Sequence, residues 1–162
     1  MRIRTGAFAV FAAAVVPLLS ATGAAAAGAG AVSFTQHFHN EVLFSDHDVN
    51  PCTGAPGTVT ATAKNGVAHM TTLANGTFWA TFTAEGTITF VPDNPADASA
   101  SGHFAAWDGE NGNLRNETET STFNAVLSGS DGSRVGVHEV AHMSTSASGG
   151  SITFDKPHMT CG

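Results

Sequence analysis

Residues 77–91 constrain the fold of this chain more than any other stretch. Their even positions read Phe78, Ala80, Phe82, Ala84, Gly86, Ile88 and Phe90, and their odd positions Thr77, Trp79, Thr81, Thr83, Glu85, Thr87 and Thr89. A period of two sends successive side chains to opposite faces of a strand, so one face meets a core and the other meets water. A helix would scatter this apolar set around its axis. Shorter runs rich in Thr, Val and Phe flank the stretch, separated by Asn50-Pro51, Pro56-Gly57, Asn65-Gly66, Asn75-Gly76, Pro92 to Pro95, Gly109 to Gly112, Gly129 to Gly132 and Gly149-Gly150. Regular punctuation of this kind marks an all-β sandwich or barrel. The reading is eight strands, at 33–44, 58–64, 67–73, 77–91, 100–107, 114–128, 133–145 and 151–160, with Asn65-Gly66 as a two-residue hairpin. Every connection except 45–57 is short enough for antiparallel neighbours. An up-and-down barrel, which leaves no exposed sheet edge, is preferred over a two-sheet sandwich. Charged residues make up only 12% of the chain. That is too few for the wet faces of a helical bundle.

The first 27 residues read differently. Arg2 and Arg4 precede an apolar run from Ala7 to Leu19, and Ala24 to Ala27 follow. A basic start, a short apolar stretch and small residues are the layout of a secretory signal peptide, with cleavage expected near Ala27. The run is too short for a membrane span. The expectation is an exported, extracellular protein with a signal peptide at 1–27 and one domain at 28–162. Residues 28–162 carry four cations, Lys64, Arg115, Arg134 and Lys156, against 13 acids. A balance this acidic argues against a nucleic-acid partner, which needs a basic stripe for its phosphates.

Both cysteines, Cys52 and Cys161, lie in this domain. In an exported chain an even number implies a disulfide, and here one pairing exists.

His138-Glu139-Val140-Ala141-His142 matches H-E-x-x-H. That chemistry needs a helix, where residues four apart share a face and both imidazoles reach one zinc ion. The surrounding residues favour a strand. There His138 and His142 would stand about 13 Å apart with Glu139 on the opposite face. A zinc hydrolase built on His138, Glu139 and His142 is therefore kept only as an alternative, and neither a metal nor any other cofactor is expected.

Strand parity nominates a different site. Most of the eight His fall on wet faces, His37, His39, His103, His138 and His142 among them. A few polar groups fall among apolar ones instead: Glu139 between Val137 and Ala141, Gln36 and Asn40 among Phe34, Phe38 and Val42, and His69 between Val67 and Leu73. A carboxylate facing a core is costly unless it is paired or stands at a wet opening. Glu139 and His69 are read as partners or as the polar lining of a barrel pocket. Trp79 and Trp107 fall on wet faces, where exposed Trp is often a contact residue.

The segment Asp48-Val49-Asn50-Pro51-Cys52-Thr53-Gly54, the His69 strand, Gly129-Ser130-Asp131-Gly132-Ser133-Arg134, His138-Glu139-Val140-Ala141-His142 and the closing Cys161-Gly162 resemble, as a set, a family of small secreted actinobacterial β-proteins. The resemblance spans nearly all of the domain. It implies an exported, single-disulfide β domain and transfers no catalytic residue. The strand count is also similar to calycin-like and allene-oxide-cyclase-like barrels. The leading functional expectation is a barrel that binds a small apolar or amphipathic ligand without catalysis, through Glu139, His69, Gln36 and Asn40. The other alternative is an envelope or protein-interaction module whose contact face carries Trp79 and Trp107.

Overall fold

In the computed structural model, which describes residues 30–146, 148 and 151–162, the alternation at 77–91 is one strand of a single antiparallel sheet. The expected signal segment at 1–27 lies outside the described residues. Eight strands follow in chain order: β1 (Val32–Phe38), β2 (Glu41–Val49), β3 (Pro56–Thr72), β4 (Phe78–Pro92), β5 (Ala100–Gly112), β6 (Asn116–Gly129), β7 (Arg134–Ser146) and β8 (Ser151–Cys161). From β3 to β8 each strand pairs with the next in sequence. Among the described residues no helix is long and apolar enough to cross a membrane, which leaves spanning by strands unaddressed.

The count of eight conceals two differences from the sequence reading. Strands 58–64 and 67–73 are one strand, β3, because Asn65-Gly66 is not a turn. A type I′ hairpin needs positive φ at both central residues. Here neither has it, and Asn65 and Gly66 instead pair with Glu85 and Ala84 of β4. The ladder slips at Lys64, the extra residue of a bulge between Ala63 and Asn65. The second Asn-Gly makes the hairpin: Gly76 has φ 80°, and the Leu73 and Gly76 N–H groups donate to the Thr77 and Leu73 carbonyls. Conversely, 33–44 is two strands. The chain breaks at His39-Asn40, where Asn40 takes φ 54°. Asn is among the few side chains that tolerate this conformation. Strand β1 lies against 66–72 and β2 against 56–63, so together they form one interrupted edge along β3.

Parity sets the two faces. The inner face carries Val59, Ala61, Ala63, Ile88, Phe90, Phe104, Leu127, Val135 and Val137, all buried. Phe38 meets Phe82 edge-on at 5.7 Å, and Phe104 stacks on Phe123 at 5.8 Å. Burying side chains of this size contributes roughly 1.5–3 kcal/mol each. Gly86 sits where the Lys64 bulge presses on β4: an added Cβ would lie 2.0 Å from the Thr62 carbonyl oxygen. Bulges and strand glycines are the devices by which sheets curve.

Among the described residues the edge formed by β1 and β2 and the edge of β8 are not paired with each other, so the sheet is not closed into a barrel. A covalent link joins the edges at one end. Cys52, just past β2, is bonded to Cys161, the last residue of β8, with Cα atoms 5.7 Å apart. Beyond it, Gly162 exchanges two backbone hydrogen bonds with Arg134 and extends the β7–β8 ladder.

Candidate functional site

Glu139 stands on the inner face. Along the ladders its row runs Phe38, Gly66, Ala84, Ala106, Phe123, Glu139 and Pro157. It is only 7% exposed, among residues that are otherwise the core. No side-chain hydrogen bond to it is formed among the described residues, and no fully sealed side-chain nitrogen or oxygen there lacks a partner. The Glu139 carboxylate therefore borders open space. That space is a small gap lined by Phe82, Ala106, Asp108, Ser121, Phe123 and Glu139, of about 10 Å³. It is room for roughly one water-sized group. Burial, reinforced by the negative charge of Asp155, pushes the Glu139 carboxyl up to about 7.

Glu139 heads a series of inner-face acids. The next row holds Asp108 on β5 and Asp155 on β8. Glu110 and Glu119 face each other across β5 and β6 in the row after it. Glu117, opposite Gly112, comes last. Asp108 and Glu119 are hydrogen-bonded, as are Glu110 and Glu117. Burial, then the Glu117 carboxyl, pushes Glu110 up to about 7; burial, then Asp108, does the same to Glu119. Burial also raises Asp108. A hydrogen bond between two carboxyl groups requires a proton on one of them, so each linked pair favours one neutral member that donates to the other. Between the acids lie Met70, Ala80, Phe82 and Met143, and Phe34 of the edge is half exposed. One end of the inner face is thus largely a dry core, with Asp46 and Asp48 along its β2 edge, and the other is a half-buried surface of apolar groups and carboxylates.

The remaining sequence candidates do not gather around Glu139. Gln36 does share the inner face, opposite Ala68 on the edge strand. His69 does not: it faces outward, with Nδ1 2.8 Å from Thr35 Oγ1 and Nε2 3.4 Å from Thr71 Oγ1. The reading that paired His69 with Glu139 is corrected here, and the cause is the Lys64 bulge. Inner positions are odd before it (Val59, Ala61, Ala63) and even after it (Ala68, Met70), so His69 is turned away. Asn40 is also displaced, to the exposed break between β1 and β2.

The H-E-x-x-H residues lie on strand β7. His138 and His142 point outward, where His138 Nδ1 meets Asn124 Oδ1 at 2.5 Å and His142 Nδ1 meets Thr120 Oγ1 at 2.8 Å. Glu139 points inward between them. Two histidines and a glutamate so placed cannot converge on one ion. Among the described residues no three His, Cys, Asp or Glu side chains are arranged to hold a metal.

Trp79 and Trp107 are outward and 43% and 40% exposed. The Trp107 ring lies over Gly109, where an added Cβ would meet it at 2.7 Å. Asp108 and Glu110 fall past the expected strand at 100–107, whereas Glu117 and Glu119 fall inside the expected strand at 114–128, in parity with Phe123 and Ala125. Phe104, Ala106, Asp108 and Glu110 continue one face, as do Glu117, Glu119, Phe123 and Ala125.

Compared with known proteins, the chain matches no family model, no curated protein and no solved structure.

Proposed function

We propose that the protein is an exported, non-catalytic binder that takes a small amphipathic molecule on the inner face of its rolled sheet. One observation carries this reading. A carboxylate as buried as Glu139, without a side-chain hydrogen bond among the described residues and surrounded by Phe82, Ala106 and Phe123, costs stability that no described neighbour offsets. Such groups cluster where ligands bind. The half-buried surface beyond it supplies both apolar and polar contacts. Export is supported by the leader-like layout of residues 1–27 and by the Cys52–Cys161 bond, which suits an oxidising compartment. A calycin-like barrel would follow if the two edges, already joined at one end, paired along their length. The test is titration of the mature protein with a neutral solvatochromic dye. Saturable binding, weakened in Glu139→Ala, supports the reading, and an absence of saturable binding ends it.

A second reading rests on the exposed Trp79 and Trp107 of the outer face, a contact surface for a protein partner. Pull-down from envelope fractions, lost on Trp107→Ala, would favour it.

A further inference from the structure

The chemistry of the inner face goes beyond a generally amphipathic ligand. Every strand-borne His side chain of the described residues faces outward, as do Arg134 and Lys156. Lys64 is exposed in its bulge and Arg115 in a loop. The described residues therefore offer no cation to the acids from Glu139 to Glu117. Acids left without a counter-charge in a half-buried surface repel one another and stay partly protonated. A bound cation would relieve both costs.

Three features specify what kind. The gap beside Glu139 holds about one water-sized group. A primary ammonium is of that size, whereas a guanidinium or a quaternary ammonium is not. Glu139 is more than nine-tenths buried, is not hydrogen-bonded within the described chain, and is aimed into that gap. Beyond it, acids two residues apart on one strand, Asp108 and Glu110 on β5 and Glu117 and Glu119 on β6, stand about 6.6 Å apart, while Glu139 on β7 is one strand from Asp155 and two from Asp108. Acids stand in four consecutive rows: Glu139; Asp108 with Asp155; Glu110 with Glu119; and Glu117. Amines joined by three or four methylenes lie roughly 5–6 Å apart at ordinary bond lengths. Met70, Ala80, Phe82 and Met143 lie between the acids and suit the methylenes. The acids are also not grouped as a metal site.

We propose that this face binds a linear aliphatic polyamine, its terminal ammonium seated at Glu139 and its inner amines on the acids of the following rows. The inference rests on the inner face being the binding surface. Ammonium donates to carboxylate in charge-assisted hydrogen bonds, and the spacing of the rows gives preference for extended amines over compact ones.

The experiment uses the mature protein at pH 8 with two probes, spermidine by calorimetry and the neutral dye by fluorescence. The expected result is one saturable spermidine site that displaces the dye, at least tenfold weaker in Glu139→Gln and unchanged in Glu85→Gln, an acid of the outer face. Spermidine that binds without displacing the dye, or equally well in Glu139→Gln, overturns the proposal. Dye binding with no spermidine binding overturns it while leaving the inner face as a binding surface; failure of both probes removes the two readings together. If Glu139→Gln does not fold, dye displacement in the wild-type protein decides alone.

Discussion

His138 and Glu139 are adjacent in sequence and stand on opposite faces of the sheet, one held by Asn124 at the wet surface and the other buried beside Phe123. This relationship separates the metal-like motif into an outer and an inner half with different consequences. Truncation of the outer half, His138→Ala with His142→Ala, removes two exposed or half-exposed hydrogen bonds. Each is worth about 1 kcal/mol. The double variant should keep its dye affinity within twofold, measured by the same fluorescence titration.

The inner half predicts an inverted pH dependence of stability. Glu110, Glu119 and Glu139 are all pushed up to about 7 from an ordinary value of 4.5. Between those values the folded chain binds more protons than the unfolded chain, so stability falls as pH rises. The groups facing one another there are Asp108 and Glu110 on β5, Glu117 and Glu119 on β6, Glu139 on β7 and Asp155 on β8, all acids. The melting temperature should be highest near pH 5 and decline to pH 7.5. Glu139→Gln should raise it at pH 7.5 and flatten the slope. A melting temperature that climbs from pH 5 to 7.5 would contradict the account.

The Cys52–Cys161 bond closes a span of 109 residues and joins the two sheet edges. In the chain-entropy model, which is one account of disulfide stabilisation, it contributes about 4–5 kcal/mol. The Cys52→Ser, Cys161→Ser protein should melt roughly 10–20 °C lower by calorimetry. A loss of only a degree or two would show that the edges are held by other means.

Gly86 tests the bulge. An added Cβ would lie 2.0 Å from the Thr62 carbonyl oxygen and 2.9 Å from Ala63 Cα and the Lys64 nitrogen, all backbone atoms. Gly86→Ala should therefore cost on the order of 1–3 kcal/mol in denaturant unfolding, because the bulge must shift. A neutral Gly86→Ala would mean that the ladder does not slip at Lys64.

The fold class was readable because alternation in β4 is uninterrupted from Phe78 to Phe90 and its inner residues are the ones buried. Glu139 was readable for the same reason, since β7 carries no bulge between Val135 and Glu139. His69 was misjudged because a single extra residue, Lys64, inverts parity, and nothing in the local sequence announces a bulge. Asn65-Gly66 misled for a related reason: the pair suits a tight turn, but long ladders with β4 on both sides of it keep the strand extended. The pairing of β1 and β2 along one edge of β3 depends on contacts distant in sequence, beyond the reach of local patterns.

The central claim is that the ligand lies on the inner face, and the faces carry their own reporters. Met70 and Met143 face inward, while Trp79 and Trp107 face outward. The direct measurement is nuclear magnetic resonance of the mature protein titrated with an unlabelled amphipathic amine, following the chemical shifts of the methionine methyl groups and of the Trp79 indole together. The account predicts that Met70 and Met143 shift saturably as the amine is added while the Trp79 indole stays in place, and that Glu139→Gln removes the shifts. A saturable shift of Trp79 with Met70 and Met143 unmoved would contradict it.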